Sequence, residues 1–175
     1  MLLSIFLSQY NIPSMKKIFH ILVFWIIVMV ASLLPISLTR IGLDLYLLPQ
    51  IEIGIAFFLS IYTRVLPLQL FLYGLFIDVA YDTQIGISAL ILLMINRIIF
   101  RFKTNLSKQD MKSIFLYFSA TFIVISILKY VIFALESHNY NVNLKTISIN
   151  LLINIAFYPI LHIMLLYSPY VQNKP

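Results

Sequence analysis

Asp78 and Asp82 lie four residues apart at the end of an apolar run. Carboxylates at that spacing share one helix face and can share a proton, which is the chemistry an intramembrane aspartyl enzyme would need. No catalytic motif flanks them, and no second aspartate motif stands on another apolar run. Two other formal charges, Glu52 and Lys129, sit inside apolar stretches, as does Arg97. Asn150, Asn154, Tyr158 and His162 recur at every fourth position and would line one face of a helix. His162 has no second His, Cys or carboxylate at ligand spacing on its own run, so a metal role is not expected. The absence of cysteine excludes disulfides, thiolate metal sites and cysteine nucleophiles. On these residues we expect no catalytic, cofactor or metal site.

The elements that must position these groups are read from hydropathy. Of 175 residues, 62% are hydrophobic and only 10% are charged, with a mean hydropathy of +1.00. A soluble domain is nearer a quarter charged, so such a chain buries its surface in lipid. Six apolar stretches run over about 18–38, 45–63, 65–81, 85–102, 113–135 and 147–168. They show no period-two alternation, which favours helices over a barrel, and helices satisfy every backbone polar group within lipid. The expected fold is all-α, a polytopic membrane bundle of six transmembrane helices. It forms one domain over 15–175, preceded by an extension over 1–14, because Met15-Lys16-Lys17 reads as a natural start. Span one ends in Leu33-Leu34-Pro35 without a small-residue cleavage site, and so reads as a retained anchor.

The basic residues set the orientation. With the N-terminus inside, Lys16, Lys17, Arg64, Arg101, Lys103, Lys108, Lys112 and Lys174 are cytoplasmic, and only Arg40 and Lys145 face out. Both termini are then cytoplasmic. The net charge of +6 does not indicate nucleic acid, since the basic residues lie between apolar runs and not on one polar face.

A charge in the middle of a spanning helix costs roughly 2.5–3.5 kcal/mol on insertion scales, so each needs a reason. At ~1.5 Å per residue, Asp78 lies roughly 5 Å from the outer end of span three, and Glu52 and Lys129 lie about 10 Å deep. Asn150 and Asn154 fall in the same outer polar layer, while Arg97 can snorkel to the cytoplasmic side. Two readings of this layer stand side by side. In one, Lys129 neutralises Glu52 or Asp78 and fixes the packing. In the other, the layer takes a polar ligand or a partner's helix. Asp78 and Asp82 lie at the negative end of their helix, and the short turn brings the N-terminus of span four close. One of them is expected to cap that helix, and Gly86, lacking a Cβ, is expected to allow a close approach. Pro49 and Pro67 open spans two and three, and Pro159 is expected to kink span six.

From Pro49 to Gly86 the chain resembles the rod-shape-determining protein MreD family. The resemblance is carried by Leu48-Pro49, by Pro67 and by the stretch from Gly74 through Asp78 and Asp82 to Gly86. That stretch resembles a G-x-x-x-D-x-x-x-G-x-x-x-G pattern with Gly74, Asp78 and Gly86 in register. Asp82 stands where the family commonly has glycine. The resemblance implies a bacterial inner-membrane protein, similar in fold to the S components of energy-coupling-factor transporters. It also implies binding to the bitopic protein MreC and membership, with MreB, RodA and a transpeptidase, of the machinery that directs sidewall peptidoglycan synthesis. No catalysis by the chain itself is implied. The alternative class is the S component of a vitamin transporter. Against it, span one lacks an Ala-x-x-x-Ala docking pattern, because Ala31 is followed four residues later by Pro35.

Overall fold

The computed structural model describes residues 15–42, 48–63, 65–106, 109–136 and 144–167. The expected extension over 1–14 lies outside the described residues, as do Arg64, Lys108 and Lys174. The architecture is an all-α bundle of six helices: α1 Met15–Thr39, α2 Ile51–Tyr62, α3 Pro67–Ala80, α4 Ile87–Leu106, α5 Met111–Glu136 and α6 Leu144–Leu166. Each apolar run forms one helix. Three helices hold segments long and apolar enough to cross a membrane, namely Leu22–Thr39, Met111–Lys129 and Lys145–Leu166. The chain is a membrane protein. Helices α2 and α3 have 12 and 14 residues. At 1.5 Å per residue they reach only ~18 and ~21 Å, against roughly 30 Å of hydrocarbon.

Local chemistry sets several helix ends. Pro67 opens α3, where its missing N–H costs no intrahelical bond, and Gln69 Oε1 accepts the N–H of Leu66 at 3.1 Å. Helix α2 begins two residues after Pro49, later than the apolar run over 45–63 suggested. It stops at Thr63, whose backbone is extended and whose carbonyl accepts a hydrogen bond from Lys103 Nζ on α4. Pro159 lies inside α6, and Pro35 inside α1.

Helix α2 is the axis of the bundle. Every residue from Ile51 to Ile61 is buried, with α1, α4, α5 and α6 packed around it. An aromatic cluster ties it to α5 and α6: Tyr158 stacks on Phe118 with centroids 3.7 Å apart, and Phe57 meets both rings edge-on. The outer helices turn large apolar side chains outward, among them Ile26, Ile27 and Val30 on α1, Leu116 on α5 and Leu152 on α6. In water such faces would aggregate, whereas lipid solvates them. Contacts along the helices fix their directions. Trp25 and Ser32 of α1 both meet Tyr73, and Ser32 also meets Tyr81, so α1 and α3 run the same way. Gln50 meets Asn154, and Tyr62 meets His162, so α2 and α6 run together. The ends of α2 and α4 meet at Thr63 and Lys103, while α5 runs against α2 from Phe118 to Lys129. Direction alternates at each step along the chain.

Candidate functional site

The polar groups inside the bundle form separate assemblies, and the first belongs to Asp78. This residue is fully buried at the end of α3. Its Oδ2 accepts the N–H of Gly86 at 2.7 Å and its Oδ1 accepts the N–H of Ser88 at 2.9 Å. The Thr83 hydroxyl also reaches Oδ1, at 3.3 Å. The first amides of a helix have no partner within it and carry partial positive charge, so a carboxylate there is both hydrogen-bonded and electrostatically favoured. Asp78, not Asp82, caps α4.

Asp82 is exposed and sits in the left-handed region at φ 52°. The two carboxylates are therefore not paired: both Asp78 oxygens accept from main-chain donors, and Asp82 is exposed. A left-handed turn favours glycine and tolerates aspartate, so Asp82 can hold this turn. We expect Asp82→Gly to melt at or above wild type and Asp82→Val to melt several degrees lower, since a β-branched residue is strained at that φ. Equal melting of the two variants in detergent would contradict this assignment. Gly86 needs a correction. It was expected to admit a close neighbour, yet nothing lies within 4 Å of where a Cβ would be; its glycine is required by φ 106°. Gly74 is the position of close approach, where a Cβ would overlap the backbone of Ala89 on α4.

The second assembly gathers four of the five residues placed in the outer polar layer: Glu52, Lys129, Asn150 and Asn154. Its hub, Gln50, was not anticipated. Asn154 Oδ1 accepts the Gln50 backbone N–H at 2.6 Å, and Asn154 Nδ2 donates to the Asn150 carbonyl at 2.8 Å. Lys129 Nζ donates to Gln50 Oε1 at 3.0 Å. Lys129 was expected to neutralise Glu52 or Asp78, and the structure adds a hydrogen-bond partner that differs from both. Both carboxylates lie within its electrostatic reach, but its hydrogen bond goes to a neutral amide. Glu52 lies in the first turn of α2, the favourable end for an anion. It is only 6% exposed, and its Oε2 has no hydrogen-bond partner among the described residues.

The rest of the α6 stripe serves the opposite end of α2. Tyr158 Oη lies 2.9 Å from His162 Nδ1, and Tyr62 Oη lies 3.4 Å from His162 Nε2, with the Phe58 ring edge-on to the imidazole. Both ring nitrogens thus face tyrosine hydroxyls, which suits a packed, oriented histidine. Sequence reasoning also passed over Ser32, whose hydroxyl meets Tyr73 Oη and whose carbonyl accepts from Tyr81 Oη at 3.2 Å. A lone serine in an apolar helix gives no signal of a partner more than forty residues away. Arg97 is exposed on α4. No family model, no curated protein and no solved structure matches this chain.

Proposed function

We propose that the chain is a non-enzymatic component of the bacterial cell-elongation machinery in the inner membrane, binding an MreC-like bitopic protein and helping to organise sidewall peptidoglycan synthesis. One observation carries this reading. Gly74, Asp78 and Gly86, the residues in register with the MreD-like pattern, each have a job in the α3–α4 hairpin that suits their residue type, and Asp82 is tolerated where glycine would serve. Gly74 admits the α4 backbone, Asp78 caps α4, Asp82 holds a left-handed turn, and Gly86 adopts φ 106°. The pattern describes a rigid hairpin, and a rigid hairpin suits a protein whose work is to present helix faces to other helices. Lipid supplies no hydrophobic drive for helix association, so specificity falls to shape and polar contacts. On this reading the chain threads the bilayer six times, with the short helices α2 and α3 covering only part of its thickness, and both termini are cytoplasmic. The alternative, an S component of a transporter, draws on the Gln50 assembly with its unpartnered Glu52 oxygen.

Co-expression with a tagged MreC-like bitopic protein from the same organism, followed by purification in detergent, tests the proposal. Wild type and Asp82→Asn should be recovered with the partner, while Asp78→Asn should be recovered several-fold less at equal expression. Failure of wild type to co-purify, or equal recovery of all three, overturns it.

A further inference from the structure

Among the described residues, the Gln50 assembly holds two opposite charges with hydrogen-bonding capacity to spare. Glu52 is more than nine-tenths buried, with one carboxylate oxygen unpartnered among the described residues, a costly state unless something meets it. Lys129 is the cation within electrostatic reach, but its ammonium, which has three donors, makes a single hydrogen bond among the described residues, to Gln50 Oε1. Lys129, Gln50 and Asn150 are half-buried, whereas Glu52 lies beneath them, so the assembly is graded from surface to interior. Residues Ile51 to Ile61 are covered on all sides by the protein's own helices. A partner's transmembrane helix therefore cannot reach Glu52, and only something small can.

Charge selects the kind of small molecule. A bare cation at Glu52 would leave the lysine's charge uncompensated in a medium of low dielectric, and a bare anion at Lys129 would do the same for the carboxylate. A molecule carrying both charges meets both groups and keeps the layer neutral. The amides of Gln50, Asn150 and Asn154 add neutral donors and acceptors of the sort that fix a polar ligand's orientation. We propose that Gln50, Glu52, Lys129 and Asn154 form a binding site for a small zwitterion, an amino acid or short peptide whose ammonium meets Glu52 and whose carboxylate meets Lys129. Binding displaces the Gln50 side chain from Lys129.

The test uses the full chain purified in detergent micelles, with thermal unfolding and isothermal titration calorimetry as readouts. The probes are glycine, L-alanine, D-alanine, β-alanine and L-alanyl-L-alanine, with ethylammonium and propionate as the separated charges. At least one zwitterion should raise the melting temperature saturably by several degrees and titrate with a stoichiometry near one, while ethylammonium and propionate do neither. Lys129→Gln and Glu52→Gln should each weaken binding about tenfold or more. Arg40→Gln, at an exposed residue outside the assembly, should bind as wild type does. Calorimetry on wild type keeps the proposal open to failure even if a variant misfolds. No response to any zwitterion overturns it, as does an equal response to ethylammonium or propionate, or binding that survives both substitutions. Partner binding is a separate matter: Lys129→Gln should lose the zwitterion and still co-purify with the MreC-like protein.

Discussion

Asp78→Ala should destabilise the protein by about 1–3 kcal/mol, the cost of losing a helix cap and leaving two half-buried amides without their acceptors. The two amides belong to Gly86 and Ser88, and the Thr83 hydroxyl loses its contact with the carboxylate as well. Water normally softens such a loss, but Asp78 is fully buried, so little water can take the place of the carboxylate. Asp78→Asn should fall between alanine and wild type. Its single amide oxygen still accepts one N–H, while its NH2 group turns a donor toward the other. Asp82→Asn should change little, because that side chain is exposed. Equilibrium unfolding in mixed micelles of rising SDS content gives all three values on one scale. A loss below about 0.5 kcal/mol for Asp78→Ala, the ordinary range for surface substitutions, would show that the cap does not hold α4 in place.

How much of this was legible in advance depended on the type of signal. Long apolar runs bounded by charge and proline identified all six helices, because hydropathy over about twenty residues is a strong local signal. Helix α2 starts at Ile51, inside the apolar run over 45–63, because hydropathy marks a run and not the residue at which a helix begins. The cap on α4 was narrowed to two aspartates and no further. What separates them is the left-handed backbone at Asp82, which turns the chain so that only Asp78 faces the new helix. Gly86 was misread for a related reason: a missing Cβ serves either close packing or a positive φ, and the residue letter is the same for both. The hydrogen bond of Lys129 had no sequence signal, because formal charge directs attention to carboxylates. The group it bonds, Gln50, is neutral and lies 79 residues away. Local and periodic information was readable, and pairing across the bundle was not.

Gly74→Ala should cost about 1–3 kcal/mol, and Gly74→Leu should prevent α3 and α4 from packing at all. A Cβ at residue 74 would overlap both the Cα and the amide nitrogen of Ala89 and lie 2.9 Å from its Cβ. Those are mainly backbone atoms, which cannot rotate aside, so the helices must part along their most extensive contact. Separation would also draw Gly86 and Ser88 away from Asp78, so the two lesions should not add as independent sites do. The other glycines provide the contrast. Gly86→Ala meets no atom but is strained at φ 106°, for about 1–2 kcal/mol. At Gly54 the nearest atom is the tip of the Leu161 side chain, which can move, so Gly54→Ala should be the mildest of the three. Ala89→Gly should not rescue Gly74→Ala, because it removes only one of the three clashing atoms. Rescue by Ala89→Gly in the same micelle titration would mean that side chains, not backbone, set the distance between α3 and α4. The MreD-like pattern would then lose the physical reason for its first glycine, and the proposed function would lose one of the three residues in register that support it.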